Sequence, residues 1–218
     1  MANNVFGDPI TDHTLRNMPE YKGKQIKKKD RAEVALLFKN SGNKSENAKS
    51  YLDKLKGQVG NEISTFGLVY NATGDTITFV DEQTWSGEID PSTYPSAIEN
   101  GQWGAFLHIK TPGAICGSHA AVVYRCKNER GRHYDWVVAW DNPWSRISYE
   151  NKVYTEIRKE NDFEGSWEAI QNIVTQKTND YNNHQETSNG CKSTVAIGEY
   201  PSPLIGCKLL SAVLTLAP

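Results

Sequence analysis

The chain has little of what most catalytic and metal-binding proteins display. Its 218 residues hold four cysteines (Cys116, Cys126, Cys191, Cys207), none in a C-x-x-C pair, so no zinc site is indicated. The five histidines include no spaced pair on one helix, which removes the usual helical metal motif. There is no Gly-rich phosphate loop and no nucleophile elbow, and no cofactor is called for. Basic residues are not in excess: 24 Lys and Arg against 26 Asp and Glu give a formal charge of −2. Nucleic acid, which selects a basic face, is therefore not an expected partner. No stretch approaches the ~20 apolar residues that span a bilayer. The first ten residues lack the basic-then-apolar pattern of a secretory leader, so the expectation is a cytoplasmic protein with reduced thiols.

What is present is enough apolar material (38%) for a real core, and a change of period along the chain. Residues 1–28 carry Gly, Pro and charge and read as an irregular segment. Residues 29–60 read as a helical pair. Asp30 and Glu33 suggest a capping box, and Val34, Leu37 and Phe38 share one face. Ser45 starts the second helix, whose stripe of Ala48, Tyr51, Leu52, Leu55 and Val59 ends at Gly60.

From residue 61 to 218 the period is two. Strands are expected at 66–70, 75–80, 102–110, 118–125, 134–140, 152–158, 193–198 and 207–216. Trp103, Ala105, Leu107 and Ile109 face one way, and Tyr134, Trp136, Val138 and Trp140 share another face. Ser166 precedes one further short helix with Trp167, Ile170, Ile173 and Val174 inward, and 179–189 reads as a polar loop. The fold class is thus α+β, a β-sandwich carrying an N-terminal helical pair and one short helix, in one globular unit. Cys116 and Cys126 are separated by a strand's length, roughly 30 Å at 3.3 Å per residue, and cannot bridge. Cys191 and Cys207 flank the last strand pair and could lie near each other, and whether they pair is not readable.

Several segments together resemble the jasmonate-induced proteins of plants. These are Val5-Phe-Gly7, Asp8-Pro-Ile-Thr11, Met18-Pro-Glu-Tyr-Lys-Gly23, Leu68-Val-Tyr-Asn-Ala-Thr-Gly-Asp75, Asn100 through His108, Ala120 through Arg125, and Val153 through Ile157. That family name describes induction and implies no chemistry. A second resemblance is to actinoporin-like β-sandwiches. Gly117 through Tyr124, a polar turn, then Asp135 through Pro143 is similar to their central hairpin, followed by Trp144 and Tyr149-Glu-Asn151. The resemblance implies a lipid head-group or glycan site built on Pro and Tyr residues, with a peripheral membrane contact. The chain departs from the pattern in Asp141, which replaces a Ser, and in lacking the dense tyrosines and the inserting N-terminal helix of pore formers.

The candidate ligand-binding residues are accordingly Asp141, Pro143, Trp144, Tyr149, Asn151 and Trp85. Aromatic faces with a carboxylate attract a quaternary ammonium, at about 0.5–2 kcal/mol per cation–π contact. The same groups suit a sugar. Against this, Trp140 reads as core by its strand alternation, and Asp141-Asn-Pro143 is equally a turn former. Trp85 and Tyr94 lie in a Gly/Ser/Asp/Pro-rich stretch and either wall the site or anchor the loop. An enzyme using His119, Asp141 or Cys116 is the alternative, as is a protein-interaction module acting through the helices. Nothing in the sequence marks the Cys116 thiol as activated. Oligomeric state is not readable.

Overall fold

The structure, a computed structural model, describes residues 4–145, 150–175, 182–200 and 206–217. Two sheets face each other. The first has the order β1 (Val5–Phe6), β6 (Trp103–Ile109), β2 (Ser64–Ala72), β12 (Cys207–Leu216), β11 (Cys191–Glu199), β10 (Asn183–Ser188), with β4 (Glu88–Ile89) also on β6. The second has the order β5 (Ala97–Ile98), β3 (Ile77–Ser86), β7 (Ser118–Lys127), β8 (His133–Asn142), β9 (Lys152–Lys159). All pairings are antiparallel except β12 with β2.

Helices α2 (Lys28–Leu37) and α3 (Lys44–Val59) cover the outer face of the first sheet. Val34, Leu52 and Leu55 pack there on Phe66, Leu68, Trp103 and Leu107. Strands β2 and β6 are therefore buried on both faces. The helix α4 (Trp167–Thr175) covers the outer face of the second sheet, setting Ile170 and Val174 over Ala121, Val123, Val137 and Ala139. Between the sheets lie Phe106, Tyr124, Trp136, Val138, Trp140, Leu210 and Leu214. The expected β-sandwich with a helical pair and a further short helix is what the chain forms.

Some local expectations differ. The segment expected to be irregular contributes β1 and a five-residue helix, α1 (Asp12–Arg16), capped by Thr11. Asp30 sits in the first turn of α2, three residues past the N-cap, and accepts from the Lys27 backbone N–H at 2.7 Å. Residues 183–188, expected in a loop, form edge strand β10, whose polar side chains suit a strand with little to bury. Trp85 lies on β3 and not in a loop, because β3 continues well past Val80. Tyr94 is core, edge-on to Phe106 at 4.7 Å. Cys191 and Cys207 are at opposite ends of their strand pair: Cys191 is level with Leu216, while Cys207 adjoins Lys208, which is level with Glu199 at the far end.

Candidate functional site

The described candidate residues, Trp85, Asp141, Pro143, Trp144 and Asn151, gather at one end of the second sheet, where β7 begins, β8 ends and β9 begins. Cross-strand register sets His119 opposite Asp141, and Asp141 opposite Lys152. All three project to the outer face, since Ser118, Trp140 and Val153 take the inward positions. Trp85 completes the row from β3, its ring 4.5 Å from that of His119 and edge-on to Trp167 of α4 at 6.4 Å. The row is thus indole, imidazole, carboxylate, ammonium.

Burial perturbs the carboxylate and the imidazole. Asp141 is partly buried, and desolvation lifts its carboxyl from 3.8 to about 6, against a smaller opposing pull from Lys152. His119 is pressed down to about 4 by desolvation, and its Nε2 is buried without a hydrogen-bond partner among the described residues. Lys152 is buried and its ammonium donates to the Thr175 carbonyl at the end of α4, 3.2 Å away. A carboxyl titrating near 6 beside an unsatisfied imidazole is an arrangement that folding alone does not favour.

Beyond this row two loops run side by side. Gly117 lies so close to the end of β8 that an added Cβ would collide with the Asn142 carbonyl oxygen and stand 2.9 Å from Pro143 Cα. Gly117 therefore fastens the 110–117 loop to the Pro143 turn. Among the described residues each loop then presents one large apolar side chain to solvent: Ile115 is 81% exposed and Trp144 52%. Pro143 and Asn151 are half-buried at the base of the loop. Tyr149 lies outside the described residues. Trp140 is fully buried, as its alternation implied.

A buried polar knot beneath the loops was not legible beforehand. Ser118 Oγ lies 2.9 Å from His108 Nδ1 and 2.8 Å from Thr65 Oγ1, and accepts from Trp140 Nε1 at 3.1 Å. Asn142 Nδ2 donates to the Ser64 carbonyl at 3.1 Å, tying the end of β8 to β2 across the sandwich. His108, with desolvation holding it down to about 3, is a neutral structural imidazole. The only sequence signal was parity: His108 alternates with Leu107 and Ile109, whose face the helices take, so it must point between the sheets.

The cysteine-centred alternative is not assembled by this geometry. His108 points between the sheets and His119 to the outer face. Cys116 sits in the loop with Ser86 and Thr111; burial pushes its thiol up, but their hydrogen bonds and Lys110 outweigh that and leave it below the usual value. Among the described residues no group of His, Cys, Asp and Glu could hold a metal ion.

Two packed sheets with helices on their outer faces place the chain among the β-sandwich proteins. The chain belongs to the Nakanori-like protein family, whose match extends over residues 6–212. It is 44% identical over 176 residues to the 23 kDa jasmonate-induced protein of Hordeum vulgare, covering 79% of this chain and 82% of that one. A jasmonate-induced protein homolog of Atriplex canescens is 32% identical over 102 residues, 46% of this chain and 54% of that. The crystal structure of the lipid binding protein Nakanori superposes with a TM-score of 0.84 at 28% identity, over 97% of this chain and 99% of that one.

Proposed function

We propose that this protein binds a membrane lipid head group, without catalysis, at the end of the sandwich where the 110–117 loop meets Pro143 and Trp144. The single observation that carries the reading is that two exposed apolar side chains, Ile115 and Trp144, stand on the two loops that meet at Gly117 and Pro143, with the partly buried carboxylate of Asp141 two residues before that proline. The likeness to a structure described as a lipid binding protein supports it. In this reading Trp144 and Ile115 enter the interfacial layer of the bilayer. Asp141, walled by His119 and Trp85, then meets the positive part of the head group at the surface. With a carboxyl near 6, Asp141 is mostly ionised at neutral pH, which favours a cationic group such as an ammonium. About half of a Trp side chain's ~250 Å² is available, so full transfer of Trp144 is worth at most ~3 kcal/mol.

Sedimentation with vesicles of phosphatidylcholine, sphingomyelin or phosphatidylserine tests this. Binding to the choline lipids is expected to fall about 10-fold or more with Trp144→Ala while thermal stability stays unchanged, because an exposed ring contributes little to folding. If no vesicle is bound, or if Trp144→Ala binds as well as wild type, the reading fails. A glycan array in parallel covers the sugar alternative, since stacking rings and a carboxylate would also hold a hexose; a sugar signal with no vesicle binding would transfer the site to that ligand.

A further inference from the structure

At the other end of the sandwich two cysteines on opposite sheets face each other. Cys126 is the last inward residue of β7 and Cys191 the first inward residue of β11; they are 1% and 0% exposed and belong to the same core cluster. The turns that follow and precede them are fastened together. Asn128 Nδ2 donates to the Asn189 carbonyl at 3.1 Å, and Asn128 Cβ lies 3.5 Å from where a Cβ on Gly190 would stand. This closure sets the two thiols close enough for each to shift the other's titration. The Lys28 ammonium is moored beside them by the Lys127 and Asn128 carbonyls, at 2.7 and 3.1 Å. Cys207 is excluded as a partner because it lies level with Ser64 at the far end, and Cys116 because it precedes the opposite end of β7.

We propose that Cys126 and Cys191 are a redox pair that closes into an intersheet disulfide when the protein meets a hydroperoxide. The strand geometry brings the pair together, and the surrounding charges distinguish the two roles. The hydrogen bond from Cys126 holds the Cys191 thiol below its usual value, helped by Lys28, so Cys191 is the nucleophile, while Cys126 is held up and keeps its proton until called on. Cys191 thiolate attacks one oxygen of hydrogen peroxide; an S–O bond forms, the O–O bond breaks, and hydroxide leaves to take up the proton Cys191 gave up. Cys126 sulfur then attacks the Cys191 sulfenic acid; the S–S bond forms, the S–O bond breaks, and water departs with the Cys126 proton. Two thiols lose two electrons and the peroxide becomes two waters. Local opening of the two turns admits a molecule this small.

The cross-link closes the chain between residues 126 and 191 and fastens β7 to β11, so it raises the melting temperature, by about 10 °C on chain-entropy grounds. It lies roughly 30 Å, the length of β7, from the exposed Ile115 and Trp144 loops. It is accordingly independent of lipid binding and does not rest on that function. The test treats the reduced full chain with hydrogen peroxide, then alkylates under denaturing conditions and maps peptides by mass spectrometry. The expected result is a Cys126–Cys191 linked peptide, an intact mass lower by two hydrogens, reversal by dithiothreitol and an upward melting shift. Cys116→Ser/Cys207→Ser should retain all of these and Cys126→Ala none. The proposal is overturned if both cysteines of wild type remain alkylatable, if the link joins another pair, or if Cys191 stops at sulfinic acid.

Discussion

Replacing Asp141 by Asn tests how this end of the sandwich trades stability for a charge. Burial lifts the Asp141 carboxyl from 3.8 to about 6. The folded state therefore holds more protons than the unfolded state between those values, and this residue's contribution to stability falls as pH rises through the window. At about 1.4 kcal/mol per unit, the ionised carboxylate costs the fold at most ~3 kcal/mol above pH 6. His119 and His108 have the opposite sign: held down to about 4 and about 3, they take up protons more readily unfolded, so their contribution is lost as pH falls below 6.5. A wild-type stability profile mixes these slopes, whereas the difference between Asp141→Asn and wild type isolates the carboxyl. Urea unfolding at pH 4 to 8 should show the Asp141→Asn variant gaining ~1–3 kcal/mol over wild type at pH 7.5 and little near pH 4. In a chain of this size each kcal/mol moves the melting temperature by about 2–4 °C. Vesicle binding should move the other way, with wild-type affinity rising through pH 6 and the variant weak and flat. A difference profile without slope, or a destabilised variant at pH 7.5, would refute the claim that the carboxylate is held there at a cost.

The two devices that shape the loop end can be tested in the same way. Gly117→Ala sets a Cβ against the Asn142 carbonyl and Pro143, so the two loops must separate. It should weaken vesicle binding and lower the melting temperature by several degrees, and an unchanged melt would show that the loops are not locked together. Ser118→Ala removes the centre of the buried knot and leaves His108, Thr65 and Trp140 each short of one partner. A loss of ~2–4 kcal/mol in urea unfolding is expected from unmet buried groups, and a change under ~1 kcal/mol would mean the knot is not satisfied by Ser118.

The fold was legible because period and parity survive in single residues. Trp103, Ala105, Leu107 and Ile109 faced the helices as alternation required, and Trp136 and Trp140 faced the interior. What could not be read was anything set by pairing between distant strands. The approach of Cys126 to Cys191 depends on β7 and β11 facing each other across the core, which no local pattern encodes. The row Trp85, His119, Asp141, Lys152 depends on the register of four strands, and a slip of one residue would have sent every member to the interior. Trp144 follows Pro143 beyond the strand, where alternation no longer says which way a ring points, and its exposure was open until the structure showed it. Ile115 was missed because a lone apolar residue in a Gly/Pro loop carries no period.

The two ends of the sandwich differ in how their polar groups are met. At the end where β8 begins, Asp135 is buried but takes a two-pronged pair from Arg125, at 2.7 and 2.9 Å, and a backbone N–H from Asn161. Its charge is answered inside the protein. At the end where β8 finishes, Asp141 occupies the equivalent outward position further along the same strand, yet desolvation outweighs the pull of Lys152, and the imidazole opposite it has an unmet nitrogen among the described residues. Among the described residues the same strand therefore gives one carboxylate a full set of donors and gives the other no such pair. Conformational specificity cannot explain the difference, because an Asn or Thr in place of Asp141 would keep the register at lower cost. An external cation can, since it supplies at Asp141 what Arg125 supplies at Asp135, and the exposed Ile115 and Trp144 beside it indicate the kind of surface such a cation comes from.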